Sequence, residues 1–106
     1  MLSRTQRQDG VSSLNKYRIF KTEEFSKKLA KLDSRNSAYI RDKLRNYVYP
    51  QIQKEPHFGK NIKKLKEYTP DTWRYRIGKF RVFYTIESNE LLILMLTLDH
   101  RKDAYR

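Results

Sequence analysis

The sequence predicts an α+β fold of order β-α-α-β-β-β, an antiparallel meander backed by a helical hairpin. Three observations carry this. Apolar residues recur at helical spacing between residues 22 and 52. Apolar and polar residues alternate from Thr72 to Glu87. An apolar run, Leu91 to Leu98, closes the pattern. At 106 residues, one domain is expected over 16–106, preceded by a polar arm over 1–15 with no periodicity.

The first strand is short, Lys16 to Phe20, with Tyr17 and Ile19 alternating against Arg18. Thr22 then fits an N-cap. Glu23 and Glu24 follow in the first turn, where the helix dipole favours acids. Phe25, Leu29 and Leu32 fall on one helical face. Asp33-Ser34 breaks that helix and can cap a second, whose stripe is Ile40, Leu44, Tyr47 and Val48. Pro50 marks a stop or kink, although Ile52 could extend the pattern. So short a turn makes the two helices antiparallel neighbours. Residues 54–60 read as a loop, and 61–68 as a lysine-rich segment around Ile62 and Leu65. After the Pro70-Asp71 turn come Thr72 to Ile77, a Gly78-Lys79 turn, and Phe80 to Glu87. Leu91 to Leu98 is apolar on both faces and is expected to be a buried central strand.

Composition narrows the function. There are 24 Lys plus Arg against 12 Asp plus Glu, a formal net charge of +12. That much self-repulsion favours a polyanionic partner. Aromatics make up 13%, including eight Tyr, which suits base stacking as well as packing. There is no Cys and no H-E-x-x-H pattern, so neither disulfides nor a thiol-ligated metal is expected, and no cofactor. The longest apolar run is too short to cross a bilayer, and the polar start lacks a signal-peptide core. A cytoplasmic protein with no membrane partner is the expectation.

The chemistry concentrates in the last third. Alternation puts Arg74 and Arg76 on one strand face and Trp73, Tyr75 and Ile77 on the other. If Arg81 points the same way, three cations converge, a set suited to a phosphate in a trigonal-bipyramidal state. The same spacing fits an exposed strand kept soluble by arginines. His100 ends the buried strand, where a histidine can serve as acid or base, or as a structural residue. Tyr105 could stack on a base or lend its hydroxyl to proton transfer. His57, in a loop, is expected to be structural or exposed. The carboxylates of the strand region follow no metal-binding spacing. A nuclease built from these groups would be metal-independent and would act on RNA, whose 2′-hydroxyl supplies the nucleophile.

WRYRIGKFRVFYTIES (Trp73 to Ser88), the apolar strand after it, LDHRKDAYR (Leu98 to Arg106) and the basic KNIKKLKEY (Lys60 to Tyr68) together resemble the RelE/ParE superfamily of toxin–antitoxin toxins. The chain looks most like the RelE-type messenger-RNA endonucleases, over about residues 16–106. The resemblance implies a toxin that cuts messenger RNA in the ribosomal A site. The 2′-hydroxyl would attack the adjacent phosphorus, leaving a 2′,3′-cyclic phosphate. It implies catalytic roles for Arg74, Arg76, Arg81, His100 and Tyr105, with Arg81 on the transition-state phosphate, His100 as general acid and Tyr105 stacking on the base. Lys60, Lys63, Lys64, Lys66 and Arg101 would contact RNA. A small antitoxin would be the neutralising partner. RelE-type toxins carry lysines where this chain has Arg74 and Arg76, and an arginine cannot serve as a general base. A gyrase-inhibiting ParE-type toxin and a non-catalytic RNA-binding module are the alternatives.

Overall fold

The computed structural model describes residues 16–100, so the arm over 1–15, Arg101 and Tyr105 lie outside it. In chain order the elements are β1 (Arg18–Lys21), α1 (Glu23–Lys31), α2 (Ser34–Lys43), a π-helical turn (Leu44–Val48), α3 (Tyr49–Lys54), β2 (Ile62–Lys64), β3 (Trp73–Ile77), β4 (Phe80–Glu87) and β5 (Leu92–His100). The strands form one sheet in the order β1-β5-β4-β3-β2. β1 runs parallel to β5, and the other pairs are antiparallel.

The sheet is thus the expected meander enlarged at both edges. β1 joins it beside β5, and three residues of the lysine-rich segment form β2 beside β3. β5 is an interior strand, between β1 and β4, while β4 holds the centre, and β5 is not buried on both faces. Ile93, Met95 and Leu98 are buried, whereas Leu94 is 38% exposed.

Both helix starts obey the chemistry of their caps. The Thr22 side chain accepts from the Phe25 N–H at 3.0 Å, and Asp33 from the Asn36 N–H at 2.8 Å. The second helix does not end at Pro50. Proline lacks an N–H, and its ring crowds the carbonyl four residues back. The chain widens by one π turn, in which the Tyr49 N–H donates to the Leu44 carbonyl, and then continues as α3.

Phe25, Leu29, Ile40, Leu44, Val48 and Ile52 pack on one sheet face, against Trp73, Tyr75, Ile77, Phe80, Val82, Tyr84, Ile93, Met95 and Leu98. Two phenols tie this core to its rim. The Tyr84 hydroxyl donates to the Pro56 carbonyl at 2.7 Å, and the Tyr75 hydroxyl to Gln51 at 2.6 Å. Burial pushes the Tyr84 phenol far above its ordinary pKa, so it stays a donor. Among the described residues no helix is long and apolar enough to cross a membrane.

β5 contains an irregularity that decides the site. Tyr84 pairs with Met95 but Phe83 pairs with Thr97, so Leu96 is the extra residue of a β-bulge. Thr22 clamps it: the Thr22 N–H donates to the Met95 carbonyl at 3.0 Å and its hydroxyl to the Leu96 carbonyl at 2.6 Å. Thr22→Ala removes the cap and the hydroxyl half of the clamp, leaving the backbone bond to Met95, and is expected to cost about 1–3 kcal/mol. Thr22→Ser should recover most of it. Urea unfolding of the three proteins checks this.

Candidate anion-binding site

The β3–β4 hairpin builds the site. Its two-residue turn has Gly78 at φ +58°, the left-handed conformation such hairpins use. That turn sets the register in which Arg76 faces Arg81 and Arg74 faces Phe83. Residues directly opposite share a face. Two rows therefore cross the sheet on the side opposite the buried core, their β5 ends bordered by α1. One is Arg76, Arg81, Asp99; the other is Lys63, Arg74, Phe83, Thr97.

The three arginines converge as alternation requires. Arg74 and Arg81 are half-buried and Arg76 is exposed. The Arg81 guanidinium carbon lies 5.8 Å from the Phe83 ring centroid, which shields one side of the cation. Burial, then the charges of Arg76 and Arg81, lower the Arg74 pKa below its ordinary value, although arginine remains charged at any working pH. The Nε atoms of Arg74 and Arg81 are buried with no hydrogen-bond partner. Asp99 stands opposite Arg81, but one of its oxygens is 3.2 Å from Lys28 Nζ. No ion pair among the described residues includes Arg74, Arg76 or Arg81. The face holds more positive charge and more N–H donors than the chain itself satisfies, which is the condition for binding an anion.

His100 is not on this face. The bulge at Leu96 reverses the alternation of β5, so His100 pairs with buried Phe80 on the helix side. The two rings meet edge to face at 4.9 Å. The structure thus brings together Arg74, Arg76 and Arg81 and separates His100 from them.

The lysines divide too. Lys63 extends the Arg74 row, whereas Lys64 pairs with Asp71 at 3.2 Å and lies 5.7 Å from the Trp73 ring. Lys60 and Lys66 are exposed on either side of β2. His57 bonds Glu55 at 3.0 Å and packs edge-on to Trp73. Phe83 is the residue the sequence reading passed over; its place two residues after Arg81 puts it on the same face. Among the described residues no group of three or more His, Cys, Asp or Glu side chains is placed to hold a metal ion.

The family model for the ParE toxin of type II toxin–antitoxin systems matches residues 17–105. The chain belongs to this family of toxins. No curated protein matches the sequence. Among solved structures, the toxin is similar to a chain of the RelBE2 toxin–antitoxin complex of Mycobacterium tuberculosis, with 25% identity and a TM-score of 0.64 over 80% of this chain and 91% of that one. It is also similar to a chain of the archaeal RelE–RelB complex of Pyrococcus horikoshii, with 24% identity and a TM-score of 0.62 over 81% and 96%. A YoeB/ParE toxin from Agrobacterium tumefaciens, 17% identical, shares the fold at a TM-score of 0.57 over 78% and 96%. The protein is therefore a toxin of the RelE/ParE superfamily with the RelE-like α+β fold.

Like charges directly opposite across a strand pair destabilise it by about 0.2–1 kcal/mol. Arg81→Gln is therefore expected to stabilise the fold by that order at low salt. Inorganic phosphate, which fills the cation cluster, should raise the melting temperature of the wild type more than that of Arg81→Gln at matched ionic strength. Thermal melts with phosphate and chloride decide it.

Proposed function

We propose that this toxin is an endoribonuclease that cuts messenger RNA on the ribosome, holding the scissile phosphate on Arg74, Arg76 and Arg81. The convergence of three uncompensated guanidiniums on an open sheet face carries this reading. In the reaction the 2′-hydroxyl oxygen attacks phosphorus, the bond to the 5′-oxygen breaks, and a 2′,3′-cyclic phosphate remains. The arginine row would stabilise the extra negative charge of the phosphorane, a role that needs fixed donors and no titration. The proton taken from the 2′-hydroxyl and the one given to the 5′-oxygen must pass through other groups, since guanidinium does not release its proton.

Lys63 on the same face, and the exposed Lys60, Lys64 and Lys66 around β2, suit contacts to ribosomal RNA. An antitoxin is the natural neutralising partner, since the Mycobacterium and Pyrococcus relatives were solved as toxin–antitoxin and RelE–RelB complexes. Its binding would cover the cation cluster or distort it.

A gyrase-inhibiting reading draws on one observation: His100, the acid expected from the RelE-type resemblance, lies on the face opposite the arginines. Primer extension across messages after brief expression separates the two. Cuts within translated codons are expected for the wild type, reduced by about 10²–10³-fold in Arg81→Ala, the range for losing one transition-state donor. Growth arrest with intact messages and damaged DNA would replace the nuclease reading with gyrase inhibition. His100→Ala is expected to keep most of its cutting; a loss as deep as that of Arg81→Ala would bring His100 back into the reaction.

A further inference from the structure

A cleft of about 290 Å³ opens between the π-helical end of the second helix and the β3–β4 turn. Tyr39, Lys43, Tyr47, Asn61, Arg76 and Gly78 are among its walls, and no carboxylate is. Tyr39 is 41% exposed and Tyr47 58% exposed, next to the buried stripe of Ile40, Leu44 and Val48, whose Val48 also borders the cleft. The Lys43 ammonium lies 4.8 Å from the Tyr47 ring and 5.7 Å from the Tyr39 ring. At the floor, a Cβ on Gly78 would come within 2.9 Å of the Tyr39 hydroxyl, and the φ of +58° disfavours any side chain there. Two open rings with an ammonium between them are therefore set beside Arg76, which also belongs to the arginine row.

We propose that this cleft is a nucleotide subsite for single-stranded RNA, stacking a base on Tyr47 while Lys43 and Arg76 hold the neighbouring phosphates. The proposal rests on the ribonuclease reading for its substrate and extends that site by one step along the strand. Arg76 borders the cleft together with Tyr75 and Ile77 of the opposite face, so a strand leaving the arginine row around this end of β3 reaches the cleft at its next nucleotides. A base needs an exposed π face, and the two tyrosines supply it without serving the core. Its phosphate needs cations that no carboxylate quenches, and Lys43 and Arg76 meet that condition here. Asn61 adds an amide with both donor and acceptor for a base edge. An acidic peptide would use the two cations and leave both rings idle.

The test is fluorescence anisotropy with a labelled seven-nucleotide RNA, 2′-O-methylated throughout so that it cannot be cleaved. The full-length wild type is compared with Tyr47→Ala, Tyr47→Phe and Lys43→Ala, each checked by thermal melting. Losing one stacked base is expected to weaken binding about fivefold or more in Tyr47→Ala. The salt dependence should stay unchanged, and Tyr47→Phe should bind as the wild type. Lys43→Ala should lower the slope of log K against log salt by about 0.7. Wild-type affinity in Tyr47→Ala overturns the proposal. So does a loss confined to a second probe, a glutamate-rich peptide of equal length. The message cuts are read separately. If they persist while Tyr47→Ala binds RNA normally, the cleft fails and the nuclease stands. If they are absent while binding depends on Tyr47, the nuclease fails and the cleft remains an RNA site.

Discussion

The pleat of the β3–β4 hairpin ties the core to the cation cluster. Trp73, Tyr75 and Ile77 face the helices only because Arg74 and Arg76 face away, and Phe80, Val82 and Tyr84 stand in the same relation to Arg81 and Phe83. A slip of one residue would expose six large side chains and bury three guanidiniums. Apolar burial thus enforces a charge arrangement that electrostatics alone would scatter. Gly78 is the hinge of this constraint. Its positive φ closes the two-residue turn, and its missing Cβ lets Tyr39 dock against the same turn.

The energetic imbalance of that face is the reason to regard it as functional. Arg76 and Arg81 are directly opposite, Arg74 is half-buried beside them, and buried Nε atoms on two of the three have no partner. Asp99 would be the natural relief for Arg81, yet it is drawn to Lys28 on α1. A face selected only for solubility would spread its charges and solvate them. This one concentrates them, shields Arg81 with Phe83, and leaves donors open to an incoming anion.

Much of this was legible in the residues. Thr22 and Asp33 were readable as caps because their side-chain chemistry is local, and the arginine convergence followed from strict alternation. The edge strands were harder. β1 and β2 are short, and their pairing with β5 and β3 depends on contacts distant in sequence. The π turn came from the conflict between Pro50, which opposes the helix, and Ile52, whose burial continues it. Burial prevailed and the backbone absorbed the proline.

His100 shows how one backbone residue can move a functional argument. Uninterrupted alternation from Leu94 would carry Leu96, Leu98 and His100 onto the arginine face and bury Thr97 and Asp99. Sequence did hold a sign against that, since two polar residues then occupy core positions while Leu98 is spent on the surface. The bulge at Leu96 resolves the conflict, burying Leu98 and turning Asp99 outward beside Arg81. His100 follows Leu98 to the helix side. Thr22 supports this outcome, because the hydroxyl that caps α1 also binds the carbonyl of the bulged residue. Helix start and strand bulge are therefore joined through one side chain, 74 residues upstream of the carbonyl it binds.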